Sequence, residues 1–353
     1  MTETANRSEF LLGLEEYLRY IAQPQAADHV HRVARSLLSE NPELELVQSH
    51  LHHLSATLPP ELIDLADLVH GIAKSNTDTE SVYRTLLTYL TQILKKQGLE
   101  DLAIETAKIL RSMGQPDFAE FVVKTQLAKL DRQFPDDKIF RSIMSYLKLN
   151  LDGPALQDAF SRSQIKSKIW LVQELANLNI TYHNVLIMAG WFGQLKNIYN
   201  TQLTYRKMRV LELDRMACET SDYVFNLDNL TEHKVKAVCA NINELTLHKN
   251  GYEWPVENFK ESTTYTEKFL PDLIINTSAE HMTEEWFHQL RFKQLDSDPI
   301  VAIQSNNLFD IPEHVNCVHS VDHMKKKFPM REVLFAGELQ LKGYKRMMLI
   351  GRV

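Results

Sequence analysis

The sequence predicts an α/β domain, built on a mostly parallel seven-stranded sheet with a terminal antiparallel hairpin, preceded by an all-helical bundle. Three observations predict it. From Ser8 to about Asn150 apolar residues recur at three and four positions, with glycine and proline between segments. From Asn179 onward, short β-rich apolar runs alternate with helical stretches, the pattern of a parallel sheet covered by helices. The last two runs are separated only by Lys342 and Gly343, too short for a crossover, so they must pair antiparallel.

The helical half divides into segments Ser8–Ile21, Ala26–Ser39, Leu44–Thr57, Pro60–Lys74, Thr79–Gln97, Leu99–Met113, Asp117–Asp131 and Asp136–Leu149. Pro60 suits a first turn, Thr79 an N-cap, and Gly98 and Gly114 helix carboxyl ends. No fixed repeat runs through it, which argues for a compact bundle and against a solenoid. The breaker Asp152-Gly153-Pro154 puts the domain division near residue 155, giving a helical domain over 1–155 and the sheet domain over 156–353.

In the second half the expected strands are Asn184–Met188, Arg209–Leu213, Val235–Ala240, Leu273–Asn276, Ile300–Gln304, Glu332–Leu341 and Tyr344–Arg352. The stretch 184–214 carries the most information. It reads as a buried strand, a turn over Ala189 to Gly193, a crossover helix from Gln194 to Thr204, and a second strand closing on Asp214. Glycines at 190 and 193 allow close backbone approach to a ligand, and an acid about 20 residues further on sits where ribose hydroxyls are gripped. The turn lacks the G-x-G-x-x-G of dinucleotide enzymes.

Composition bounds the rest. Hydrophobic content of 44% and charged content of 24% are those of an ordinary globular protein. A net charge of −7 argues against a general nucleic-acid binder. The segment MTETANRSEF has no signal-peptide core and no run approaches a membrane span, so a cytoplasmic location without membrane association is expected. Cys218, Cys239 and Cys317 are widely spaced and read as reduced thiols. The histidines form no matched metal motif, so no metal is expected. P-loop, serine-hydrolase and zinc signatures are missing from the sequence.

The helix SQIKSKIWLVQEL, the runs VLIMAGWFG, VLELD, KAVCANINEL and PDLIINTSAEHM, and the terminal YKRMMLIGRV together resemble the class I, Rossmann-like S-adenosylmethionine-dependent methyltransferases over roughly residues 160 to 353. The resemblance implies S-adenosylmethionine as cofactor. Ala189, Gly190, Trp191 and Gly193 would lie under its methionine part, Asp214 would hold its ribose, and Asn241 with Ile242 would flank its adenine. Asn276, closing the fourth strand, is counted with the cofactor set.

An acceptor belongs at the carboxyl ends of the fourth and fifth strands, where open α/β sheets bind ligands. There the chain places Ser278, Glu280, His281, Glu284 and Glu285, and then Gln304 and Asn306. Glu280, His281 and Glu285 are candidates for chemistry; Ser278, Glu280, Glu284, Gln304 and Asn306 are candidates for holding substrate. The acids loosely resemble the glutamate pair of arginine methyltransferases, which implies a small amine or guanidine acceptor methylated on nitrogen. Glu284 and Glu285 equally suit the start of an exposed helix, and His281 a hydrogen-bonding role. Trp191 and Phe192 read as pocket wall or core, and Lys166, Lys168 and Tyr182 as cofactor contacts or solvated face. Another S-adenosylmethionine chemistry, or an interaction module on a methyltransferase-like scaffold, stays open. A homodimer fits the surplus apolar helix faces.

Overall fold

In the computed structural model the described residues are 3–21, 24–37, 42–62, 67, 69–71, 80–113, 158–227, 234–258 and 263–353. The expected helices Asp117–Asp131 and Asp136–Leu149 and the breaker at 152–154 lie outside them. The described residues form two compact units: residues 9–27 cluster with the sheet, and residues 28–113 form the other.

The helical unit holds most of α2 (Pro24–Leu37), with α3 (Pro42–Thr57), a 3₁₀ turn at Pro60–Leu62, α4 (Glu80–Lys96) and α5 (Glu100–Ser112). Its core interleaves Val47, Leu51 and Leu54 of α3 with Tyr83, Leu87, Leu90 and Leu94 of α4 and Ala103 and Ile109 of α5. These are the three- and four-spaced residues of each segment, and each buried aliphatic contributes about 2 kcal/mol.

α1 (Glu3–Tyr20) supplies residues to the sheet unit instead. Phe10 and Tyr17 meet the Phe160 ring edge-on, and the Asn197 amide donates to the Tyr17 hydroxyl at 2.8 Å. A Cβ at Gly13 would stand 2.0 Å from the Phe160 carbonyl oxygen, so only glycine permits this approach.

The sheet unit follows with α6 (Arg162–Asn177), β1 (Asn184–Met188), α7 (Gln194–Tyr199), β2 (Lys207–Glu212), α8 (Arg215–Leu227), β3 (Val235–Cys239), β4 (Thr246–His248), β5 (Gly251–Asn258), β6 (Thr263–Phe269), β7 (Leu273–Asn276), α9 (Glu285–Lys293), β8 (Ile300–Asn306), α10 (Val321–Lys327), β9 (Glu332–Gln340) and β10 (Lys345–Arg352). The main sheet runs β3-β2-β1-β7-β8-β10-β9, with β1, β2, β3, β7 and β8 parallel. The chain's last strand, β10, lies antiparallel between β8 and β9. This is the Rossmann-like α/β sheet with a terminal antiparallel hairpin that the sequence predicts. Among the described residues no helix is long and apolar enough to cross a membrane.

Three expectations are corrected. The second strand spans Lys207–Glu212 and not Arg209–Leu213, which makes Glu212 its final residue and puts Leu213 in an exposed loop. The helix expected over Gln194–Thr204 closes at Tyr199, all six of its residues being buried. An antiparallel sheet, β4-β5-β6, intervenes between β3 and β7. Its alternation of Tyr252, Trp254 and Val256 inward is a strand signal, masked in the sequence by Pro255 within the run. A buried pair anchors this insert: Arg209 of β2 donates to both Glu267 oxygens of β6, at 2.7 and 2.8 Å, and Lys207 adds a third contact.

Candidate active site

The strand order reverses between β1 and β7: one branch proceeds from β1 to β2 and β3, the other from β7 to β8. Segments leaving the carboxyl ends of β1 and β7 therefore diverge and border a crevice, which is where open α/β sheets take ligands. The expected site residues follow the ends of β1, β2, β3, β7 and β8.

The turn after β1 is conformationally unusual. Ala189 and Trp191 both have φ of 48° and Gly193 has φ of 71°, a left-handed region in which side chains other than glycine are strained. Hydrogen bonds hold it there. Gly190 donates to the Leu211 carbonyl at 3.1 Å, Gly193 to the Gly190 carbonyl at 2.9 Å, and Ser221 to the Trp191 carbonyl at 3.0 Å. The space over Gly190 is taken by the protein itself, since a Cβ there would meet Val210 Cγ1 at 2.1 Å. The glycine thus serves the packing of the turn on β2. Phe192 is buried, and Trp191, half-buried, stacks on it at 5.7 Å.

The acid that touches this turn is Glu212, which sequence reasoning passed over for Asp214. Glu212 Oε2 accepts the Trp191 N–H at 2.7 Å, and Oε1 accepts those of Leu213 and Asp214 at 2.7 and 3.1 Å. Asp214, exposed, accepts the Ala217 N–H at 2.9 Å and so caps the start of α8. VLELD carries two acids, and the strand's end decides which of them faces the turn. Beside them Leu213 and Met216 are 68% and 52% exposed, an apolar surface next to a carboxylate. That combination fits an adenosyl group, whose base is flat and apolar and whose ribose offers hydroxyls. After β3, Asn241 accepts from the Asn243 N–H and donates to Glu244, while Ile242 is buried.

After β7 the polar residues converge. Asn276, fully buried, accepts the Ser278 N–H at 3.0 Å and places its amide on the Met282 sulfur. Glu280 is only 2% exposed. Its Oε1 accepts from Asn306 Nδ2 at 2.7 Å and from the Arg346 guanidinium at 3.1 Å, while Oε2 is buried without a partner. The guanidinium facing Glu280 is thus the chain's own. Asn306 is held by accepting the Leu308 N–H. His281 is exposed and packs edge-on against His314 at 4.5 Å; burial lowers the His314 imidazole below its usual value, and His281 adds to the effect.

Other candidates fall outside this cluster. Gln304 is buried against α6, donating to the Ser167 carbonyl at 2.9 Å. Glu284 pairs with Lys327 at 3.3 Å, and Glu285 opens α9 while accepting from Thr283. Ser278 is half-buried and its N–H is taken by Asn276. Lys168 of α6 is fully buried; burial, with the Arg346 guanidinium adding to it, brings its ammonium down to about 7. The sequence placed Lys168 on a solvated face or at the cofactor, whereas the structure buries it and its ammonium donates to Gln164 at 3.1 Å. Arg346 and His314 escaped sequence reasoning because they lie 66 and 34 positions from Glu280, in the terminal strand and in the loop after β8.

No protein-family model matches the chain, and no curated protein matches it in sequence. Among solved structures it is similar to the N-methyltransferase NodS of Bradyrhizobium japonicum, at 9% identity over 57% of this chain and 97% of that one, with a TM-score of 0.39. It is similar also to a putative sarcosine dimethylglycine methyltransferase from Galdieria sulphuraria, at 11% identity over 57% and 90% of the two chains and a TM-score of 0.39. A third is an S-adenosylmethionine-dependent methyltransferase from Aquifex aeolicus, at 11% identity over 51% and 88%, with a TM-score of 0.35.

Proposed function

We propose that this chain is an S-adenosylmethionine-dependent methyltransferase acting on a nitrogen of a small amine or guanidine compound. The observation that carries the reading is the placement of the strained 189–193 turn, the Glu212 and Asp214 carboxylates and the Glu280–His281 segment around the point where the strand order reverses. The cofactor, when bound, supplies an activated methyl group, so the protein's share is to hold, align and exclude water.

The 189–193 backbone and Glu212 form one wall of the cofactor site, with Asp214 toward ribose and Leu213, Met216 and Ile242 toward adenine. Ser278 and the exposed Glu285 hold the acceptor, an anionic side chain favouring a cationic amine. His281, exposed at the end of β7, accepts the proton that nitrogen loses on methylation. The buried Glu280–Arg346 pair keeps the segment carrying His281 in place.

Calorimetric titration with S-adenosylmethionine tests the cofactor assignment, and absence of heat overturns it. Mass analysis of products tests the chemistry. A gain of one methyl group on an amine, with release of S-adenosylhomocysteine, is expected; release of methylthioadenosine would point to another transfer or cleavage.

A further inference from the structure

We propose that Glu280, His281 and His314 form a binding site for one divalent transition-metal ion. One carboxylate oxygen of Glu280 and one nitrogen from each histidine lie within 4.8 Å of one another. Zinc ligands stand about 2.0–2.2 Å from the ion, so binding would draw these three atoms closer together.

Two independent observations point to a ligand. Glu280 Oε2 is buried and unpaired, although Oε1 of the same carboxylate takes hydrogen bonds from both Asn306 and Arg346. A buried carboxylate oxygen left without a partner is costly, and a metal ion satisfies it. Second, His314 Nδ1 lies 3.0 Å from the Leu308 carbonyl, which can only accept, so that nitrogen carries the proton and Nε2 is left with a lone pair. A carbonyl fixing the tautomer of an imidazole is the usual support of a metal-bound histidine. Two imidazoles and one carboxylate suit zinc or iron(II) better than magnesium or calcium, and the exposed His281 leaves a side open for water or a ligand.

Arg346 occupies Oε1 of Glu280, so the oxygen left for an ion is Oε2. Sequence spacing hid the set, since His281 and His314 stand in separate loops. One consequence rests on the function proposed above: ligation consumes the His281 lone pair, so the ion and proton acceptance at His281 exclude each other. The ion-loaded chain is then the inactive form.

The test is calorimetric titration of Zn²⁺ into the full chain after chelation, beside His281→Gln and His314→Gln. One site is expected whose affinity falls at least roughly tenfold in each variant, with both variants still unfolding cooperatively and S-adenosylmethionine binding unchanged. Neither histidine belongs to the apolar core, so folding survives both changes. Zinc bound equally by all three proteins, weakened in only one variant, or not bound at all overturns the site. Zinc held by histidines of the helical unit, such as the adjacent His52 and His70, would persist in both variants and count against the proposal. Failure of the methyltransferase reading shows separately, as loss of cofactor heat with zinc binding intact.

Discussion

Glu280 and Arg346 form a buried ion pair with 3.1 Å between Oε1 and the guanidinium, joining the segment after β7 to the start of β10. Arg346 also donates to the Thr277 carbonyl at 2.8 Å, so one side chain of the terminal strand holds the stretch from Thr277 to Glu280 that leads directly into His281. Removing one partner strands the other charge in the interior. Arg346→Met is therefore expected to lower unfolding free energy by about 3–5 kcal/mol, and Glu280→Leu combined with Arg346→Met to cost less than Arg346→Met alone. Urea unfolding of the two proteins decides it; a double variant less stable than the single one would contradict the pairing.

Gly190 tests whether the β1 turn is shaped by packing. Gly190→Ala drives a methyl group against Val210 and should cost about 1–3 kcal/mol. Val210→Ala in the same chain should recover part of that loss. Additive destabilisation in the double variant would place the cause elsewhere than at this contact.

Glu212, which closes β2, and Asp214, which caps α8, should separate in their effects. Asp214→Asn keeps an N-cap for α8 and so keeps thermal stability, while a weakened charged hydrogen bond lowers S-adenosylmethionine affinity by about tenfold. Glu212→Ala strips the acceptor from three backbone N–H groups and should lower melting temperature and affinity together. Melting curves and calorimetry on both variants read this; equal melting losses would contradict the assignment of Asp214.

Lys168 makes stability depend on pH. Unfolded, it keeps its proton to near 10.5; folded, only to about 7, because burial and the Arg346 guanidinium oppose the charge. Between those values the unfolded chain binds more protons, so stability rises with pH through that window, and below about 7 the full cost remains. Lys168→Met should flatten this rise, by up to roughly 1.4 kcal/mol per pH unit. Urea unfolding on either side of neutrality compares the two slopes, and parallel slopes would contradict a depressed lysine.

Local pattern made much of the fold legible. The strands at Asn184–Met188 and Leu273–Asn276 stand where their apolar runs put them, and the two-residue link at Lys342–Gly343 forced an antiparallel pair because no crossover fits in it. The run MMLIG in β10 is buried on both faces, as its place between β8 and β9 requires. The insert β4–β6 was not legible, since its inward residues alternate across a proline and close only against distant β2 through Glu267 and Arg209.

What the sequence determined by itself was the types and order of the main-sheet elements and the strand ends at which polar residues gather, because periodicity and turn chemistry act over a few residues. What tertiary structure alone decided was partnership: that Glu212 and not Asp214 meets the 189–193 turn, that α1 residues pack with the sheet, and that Glu280 meets Arg346 and His314. Such pairs join positions from 21 to 180 residues apart. Their contact depends on strand register and sheet order, which no local pattern encodes.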